Sequence, residues 1–370
     1  MKRERTPSLK RKIMIPLLIF LAILVILLLG AYLSIHTYIN RMHLVSASGF
    51  TGEEQPKDDA RTASDVPEYE EADSQVPNSP KDEITSMEEK IKANLKEGSS
   101  PILYDKDVFN VLLIGSDTRE NGGRGRSDVM LLISINKKNK QIIATSFLRD
   151  IYLKIPGKNN NRLNAAYAFG GADLLMETLE QNFKIKIDHY ASIDFYSFID
   201  IVDAVGGITL TVSKEDIPVI NDYLKEINIL TGDKEGTDYL TEAGTYLLDG
   251  KQALAYSRNR YVGNGDFART QRQRNVLEQV FLKVKELNLL QLKELLDTLL
   301  PEITTNLTEG EIFSLLLALP SYINYERLQW SVPTEDSYQS MRINGMAVLG
   351  IDFDQNIREI YQRIYGIEAE

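Results

Sequence analysis

LLIGSDTRENGGRGRSDVMLLI, residues 112–133, sets two apolar runs on either side of a loop crowded with charge: Asp117, Arg119, Arg124, Arg126 and Asp128. The flanking runs are short and continuous, which suits strands buried on both faces better than helices. Joined across a Gly-rich loop, they predict a hairpin-like junction. The charged loop has two readings. It is either a solvated turn whose ion pairs contribute little, or a grip on a highly charged ligand.

Working outward, FNVLLI (109–114), VMLLISI (129–135) and IIATSFL (142–148) read as strands. GGADLLMETLEQNF (170–183) and DFYSFIDIVDAVGG (194–207) read as helices that end near Gly or a polar breaker, with Gly206 and Gly207 making the turn into the strand ITLTV (208–212). TQRQRNVLEQVFLKVKEL (270–287) places Val276, Val280, Phe281, Val284 and Leu287 on one helical face. Further helices are expected near 289–299, 308–319 and 353–366, with RLQWSV (327–332) as a late strand. This alternation predicts an α/β fold over 101–370, a single large αβα sandwich with a mixed central sheet.

The segment before that domain has a different composition. MKRERTPSLKRK (1–12) is basic, and IMIPLLIFLAILVILLLGAYLSI (13–35) follows without a charge. A helix of that length spans the roughly 30 Å hydrocarbon core. By the positive-inside rule residues 1–12 are expected in the cytoplasm and the rest of the chain outside, making a single-pass cell-membrane protein. A cleaved signal peptide would have a shorter apolar region, and no A-x-A-like site follows closely, so 13–35 reads as a retained signal-anchor. Residues 36–100 are acidic, rich in Pro, Ser and Thr and poor in large aliphatics, the composition of a disordered extracellular linker. Within it, Ile84, Met87, Ile91 and Leu95 repeat at helical spacing, so a short helix near 83–97 is possible.

Composition narrows the function. A formal charge of −11 argues against a nucleic-acid partner. The chain has no Cys, which excludes disulfides, thiolate metal sites and cysteine nucleophiles. Of three His, only His189 lies in the globular part, which disfavours a Ser-His-Asp hydrolase or a His-rich metal site.

A second basic cluster mirrors the first. SRNRYVGNGDFARTQRQRNVL (257–277) gathers Arg258, Arg260, Arg269, Arg272 and Arg274 around Asp266. SFLRD (146–150) puts Arg149 and Asp150 at the end of a buried strand, where α/β sheets usually bind ligands. Arginine offers a planar fork for phosphate oxygens. Composition alone leaves open whether these clusters bind an anion or form surface ion pairs.

Taken in order, VLLIGSDTR, the RSDVMLL segment, SFLRD, RLNAAYAFGG (162–171), IVDAVGGITLTV (201–212), LLDGKQALAYSRNR (247–260) and DFARTQRQR (266–274) resemble the LytR-CpsA-Psr family over nearly all of 107–365. The resemblance implies a phosphotransferase of the Gram-positive envelope. Such an enzyme moves a glycopolymer, teichoic acid or capsule-like, from a polyprenyl (pyro)phosphate carrier onto peptidoglycan at the outer membrane face. It implies Asp117 and Asp128 beside a divalent cation, Mg²⁺ or Mn²⁺, and Arg126 and Arg149 as phosphate-binding residues. Arg258, Arg260, Arg269, Arg272 and Gln273 are implied as the opposing wall. Leu148 stands where many relatives have proline and Ser127 where threonine is frequent, differences that touch loop stiffness more than chemistry.

The chemistry fits those residue types. Phosphoryl transfer is catalysed mainly by positioning and charge stabilisation, and Mg²⁺ takes few carboxylates together with waters and phosphate oxygens. Asp117, Asp128 and Arg149 are therefore the expected catalytic residues, with one aspartate, not identified, removing the proton of the attacking hydroxyl. A lipid-pyrophosphate hydrolase that releases polymer, and a non-catalytic scaffold for the lipid-linked glycan, are the alternatives; a transcriptional regulator is disfavoured.

Overall fold

A computed structural model describes residues 77–96, 100–116, 125–288 and 300–367, with 43–44, 291, 294–295 and 297. The expected membrane helix at 13–35 and most of the helix expected at 289–299 lie outside the described residues. Among the described residues no helix is long and apolar enough to cross a membrane.

The quoted stretch forms the hairpin its pattern predicts. Strand β2 (Val108–Ser116) pairs antiparallel with β3 (Ser127–Asn136), and β3 pairs antiparallel with β4 (Gln141–Phe147). β2 also pairs in parallel with β7 (His189–Asp194), and β4 in parallel with β11 (Glu326–Val332). The two-residue strands β1 (His43–Leu44) and β10 (Thr304–Thr305) complete a mixed seven-stranded sheet of order β1-β10-β7-β2-β3-β4-β11. Burial along β2 alternates between buried and half-buried residues rather than being complete on both faces, so the expectation from its continuous apolar run is corrected. Leu112 and Ile114 fill the deep side, while Phe109 on the other side meets Leu307 and Ile312.

Helices cover both faces, as expected of a three-layer sandwich. Helix α1 (Lys81–Asn94), α2 (Ala165–Phe183) and α8 (Phe353–Ile360) enclose the main core of Leu132, Ile143, Phe147, Phe183 and Val332. α2 begins five residues before the predicted start, with a kink at Gly170 and Gly171. The helix at 81–94 also corrects the linker boundary. Met87 and Ile91 are each only 1% exposed, so the folded domain begins upstream of Pro101. The acidic residues of that helix face out and conceal the apolar stripe from any compositional reading.

A second core gathers α3 (Phe195–Ala204), the antiparallel pair β8 (Ile208–Val212) and β9 (Gly244–Leu248), α4 (Asp216–Thr231) inserted between them, α5 (Gly250–Arg258) and one face of α6 (Gly265–Glu286). Asp194 caps α3 by accepting from the Ser197 N–H at 2.8 Å, and Asp249 with Gln252 forms a capping box on α5. Gly206 and Gly207 both take φ of 78° in the turn from α3 into β8, as the sequence predicts. α5 meets α3 at backbone distance: a Cβ on Gly250 would lie 2.3 Å from the Ile199 carbonyl oxygen. Gly250→Ala therefore has to push α5 off α3, an expected loss of about 1–3 kcal/mol in urea unfolding. Stability equal to wild type would show that the helices do not pack this closely.

Past α6, α7 (Glu309–Tyr322) lies over the β10 side of the sheet, where His189 Nε2 is 3.0 Å from Glu311 Oε1. His189 thus serves packing at the end of the sheet remote from the charged loops. The short pair β5 (Tyr152–Lys154) and β6 (Asn160–Arg162) and the hairpin β12–β13 (Tyr338–Ile343 and Met346–Ile351) finish the domain.

Candidate functional site

β2, β4, β7 and β11 all point the same way, so their C-terminal ends share one edge with the start of β3. That edge is where open α/β sheets present ligands. Ser116, the last residue of β2, pairs with Ser127 and with Asp194, and Asp128 follows one residue into β3. Arg149 and Asp150 occupy the turn after β4, held against the end of β6 by the Asn164 N–H donating to the Arg149 carbonyl at 3.2 Å. Asp266 and Arg269 rise from the first turns of α6.

These side chains converge. Arg149 Nη1 donates to Asp128 Oδ1 at 2.8 Å, while its Nε lies 3.7 Å from Asp150 and 3.9 Å from Asp266. Arg269 reaches Asp128 at 3.9 Å and Asp266 at 2.6 Å. Arg162, 3% exposed at the end of β6, lies 3.7 Å from Asp150. Arg258 acts on Asp128 and Arg260 on Asp150 through charge. Five guanidinium groups thus surround three carboxylates, Asp128, Asp150 and Asp266, and with Glu226 beside Arg258 counted as a fourth the arginines remain in excess by one, a balance that suits an anion.

The ionisation states follow from that field. Burial pushes the Asp128 carboxyl up, but Arg149 and Arg269 outweigh it and hold it below the usual carboxylate range. Burial works against the Arg149 cation, and Asp128, Asp150 and Asp266 together hold it protonated above the ordinary arginine value. At Asp150 burial wins over the opposing Arg149, and its carboxyl is raised. Burial with repulsion from Arg260 lowers Arg162.

Six buried polar atoms of this cluster carry no hydrogen bond: Arg149 Nε, Asp150 Oδ1, both carboxylate oxygens of Asp266, and Arg269 Nε and Nη2. The Asp266–Arg269 contact is short but too poorly aligned to count as one. Buried polar groups are rarely left this way, because each costs about 1–3 kcal/mol. The unmatched N–H groups call for acceptor oxygens, as phosphate has. The unmatched carboxylate oxygens call for a cation or a donor. A pyrophosphate carrying a divalent cation would satisfy both sets.

Of the residues singled out in the sequence, the structure brings Asp128, Arg149, Arg258, Arg260 and Arg269 to this edge. Arg126 lies half-buried just ahead of β3. Gln273 is one helical turn beyond Arg269 on the same face of α6, also half-buried. Asp117, Arg119 and Arg124 lie outside the described residues. Arg272 is a correction. Its Nη2 is 2.7 Å from the buried Asp216 and its Nη1 donates to the Asn259 carbonyl at 3.1 Å, so it ties the SRNR turn to α4 instead of forming the wall of the site. Arg274 is buried too, donating to Ser146 and Ser331 between α6 and the sheet, and burial alone pushes it down to about 10. Sequence reasoning assigned no role to Arg162, although it opens the RLNAAYAFGG motif, and none to the carboxylates Asp150 and Asp266, which stand inside the quoted motifs. Among the described residues no group of three or more His, Cys, Asp or Glu side chains is arranged to hold a metal alone.

The LytR_cpsA_psr family model matches residues 72–359. The polyisoprenyl-teichoic acid–peptidoglycan teichoic acid transferase TagU of Enterococcus faecalis is 42% identical over 190 residues, 50% of this chain and 57% of that protein. The corresponding transferase TagT of Bacillus subtilis is 33% identical over 229 residues, 60% of this chain and 68% of that protein. The matches thus span little more than half to two thirds of these curated relatives. A solved structure of YwtF (TagT) with bound octaprenyl pyrophosphate lipid superposes with a TM-score of 0.53 at 28% identity, covering 72% of this chain and 94% of that one.

Proposed function

The chain belongs to the LytR_cpsA_psr family, and on that premise we propose that it transfers a glycopolymer, teichoic acid or capsule-like, from a polyprenyl pyrophosphate carrier to peptidoglycan. The observation that carries this reading is the arginine-rich cluster with unmatched buried N–H groups at the ligand edge of the sheet. The names of its relatives support the substrate class, and the bound octaprenyl pyrophosphate lipid of the TagT structure supports the carrier.

In this reading Arg149 and Arg269 hold phosphate oxygens from the base of the site, while Arg126, Arg258 and Arg260 hold them from its rim. Gln273, facing the same way as Arg269, donates to an outer oxygen. Asp128 with Asp117 would hold Mg²⁺ or Mn²⁺. Asp128 fits that part because it is kept ionised. Such a cation, when bound, neutralises charge on the reacting phosphate. The acceptor hydroxyl of peptidoglycan bonds to the sugar-linked phosphorus, the bond from that phosphorus to the bridging oxygen breaks, and prenyl phosphate leaves. The hydroxyl proton passes to a carboxylate of the cluster. The arginines stabilise the charge that accumulates on the phosphate oxygens. Residues 13–35 anchor the chain, and the domain acts at the outer membrane face.

The test supplies the full chain in detergent with a synthetic prenyl-pyrophosphate saccharide, peptidoglycan fragments and Mg²⁺, and follows products by mass spectrometry. The expected product is a phosphodiester-linked saccharide on the glycan, lost on chelation with EDTA and lost in Asp128→Asn. Free saccharide phosphate alone would make the protein a hydrolase. Tight binding without either product would make it a scaffold. Undiminished transfer in EDTA would remove the cation from the mechanism.

A further inference from the structure

Arg258 ends α5 with its guanidinium enclosed on three sides. Its Cζ lies 5.2 Å from the Phe195 ring centroid and 4.6 Å from that of Tyr223, and its Nη2 is 3.2 Å from Glu226 Oε2. Phe195 opens α3, one residue past the end of β7, while Tyr223 and Glu226 stand one turn apart on α4. Two helices that share no motif with the SRNR turn therefore supply the two ring faces and the carboxylate. Rings that contact a guanidinium on its face leave its edge N–H groups free for oxygen acceptors.

We propose that Tyr223, Phe195 and Glu226 form a bracket that positions Arg258 for a phosphate of the substrate, with Tyr223 as the principal positioning residue. This rests on the phosphate-binding reading of the cluster. The rim location of the bracket fits it. Arg258 is close enough to act on Asp128, and the Tyr223 hydroxyl, pushed up by burial, is pulled back by Arg258, Arg260 and Arg269. Among the described residues the neighbouring Arg260 has only Tyr261 as a ring partner, at 5.3 Å, and Tyr261 is 58% exposed. Of the two SRNR arginines, Arg258 is thus the one held rigidly.

A plainer role for the same contacts would be to pack α4 and α5 together, since Tyr223 and Phe195 also border the second core. A double-mutant cycle on the full chain separates the two roles, using inorganic pyrophosphate as the probe in titration calorimetry. Tyr223→Leu is expected to weaken binding about five- to tenfold, and Tyr223→Phe, which keeps the ring, less than about twofold. In an Arg258→Ala background the Tyr223→Leu change should cost nothing further, because the group it positions is gone. An equal loss in both backgrounds overturns the bracket and leaves Tyr223 a packing residue. So does wild-type affinity in Tyr223→Leu. Failure of the wild-type chain to bind pyrophosphate would instead overturn the phosphate-site reading, and the bracket with it.

Discussion

Arg149→Ala is expected to lower the proposed transfer by about 10³-fold, while the chain stays folded. Among the described residues Arg149 is the cation that lies within 4 Å of all three carboxylates of the cluster, and its side chain is 17% exposed. In the proposed mechanism its removal deletes a preorganised donor to the reacting phosphate. A thousandfold loss corresponds to about 4 kcal/mol of transition-state stabilisation. The cost to folding is smaller. Asp128 keeps Arg269 nearby and Asp150 keeps Arg162, so an expected stability loss of about 1–3 kcal/mol leaves a typical domain almost wholly native. Lost activity at an unchanged circular dichroism spectrum is then a statement about the site. Arg149→Lys discriminates further. It keeps the charge but not the fork, and should recover only part of the rate. Transfer within threefold of wild type in Arg149→Ala would sink the assignment of Arg149 as the central phosphate-binding residue.

Much of this candidate site is legible in the sequence, and the part that is not has physical reasons. Asp128 and Arg149 could be placed because each sits at the end of a continuous apolar run, and strand ends in α/β sheets share an edge. Arg272 could not be placed correctly. Along α6 the arginines at 269, 272 and 274 differ only in helical phase, and phase alone does not say which partner waits on each side. The partner of Arg272 is Asp216, which opens α4. That helix is hard to read from sequence because Pro218 lies within it and proline usually marks a break; in the first turn, where the missing N–H would be unpaired anyway, it is tolerated. With α4 unread, Tyr223 and Glu226 had no place near Arg258 either. The helix expected from 270 starts five residues earlier, at Gly265, for a related reason. Its first turn, around Asp266, is polar and glycine-flanked and carries no apolar stripe to register the helix.

A chain that begins at Pro101 is expected to be far less stable than one that begins at residue 77. Helix α1 is not an ornament on the linker. Met87 and Ile91 are buried to 1% in the main core, and a Cβ on Gly350 of β13 would lie 3.0 Å from the Met87 sulfur, so the helix sits tightly on the β12–β13 hairpin. Polar contacts fix the same docking. Asn94 Nδ2 donates to the Asn182 carbonyl at 2.9 Å, the Ser79 N–H to the Arg342 carbonyl at 2.9 Å, and the Gly345 N–H to Asn78 Oδ1 at 2.9 Å. Truncating one such apolar side chain to alanine costs about 2–5 kcal/mol, so losing both costs about 4–10, against a typical total of about 5–15. Met87→Ala alone should lower the urea midpoint measurably, and starting the chain at 101 should leave no cooperative transition or one at far lower urea. Equal midpoints for chains starting at 77 and 101 would show that α1 contributes nothing to the core. The distinction bears on chemistry. Arg342 and Gly345, which hold the incoming segment, flank the turn of the hairpin whose strand β13 bonds through the Leu349 N–H to the Asp150 carbonyl at 2.8 Å. Deleting α1 therefore loosens a neighbour of the Arg149–Asp150 turn, and a chain started at 101 would report a loss of transfer that belongs to the core rather than to the arginines.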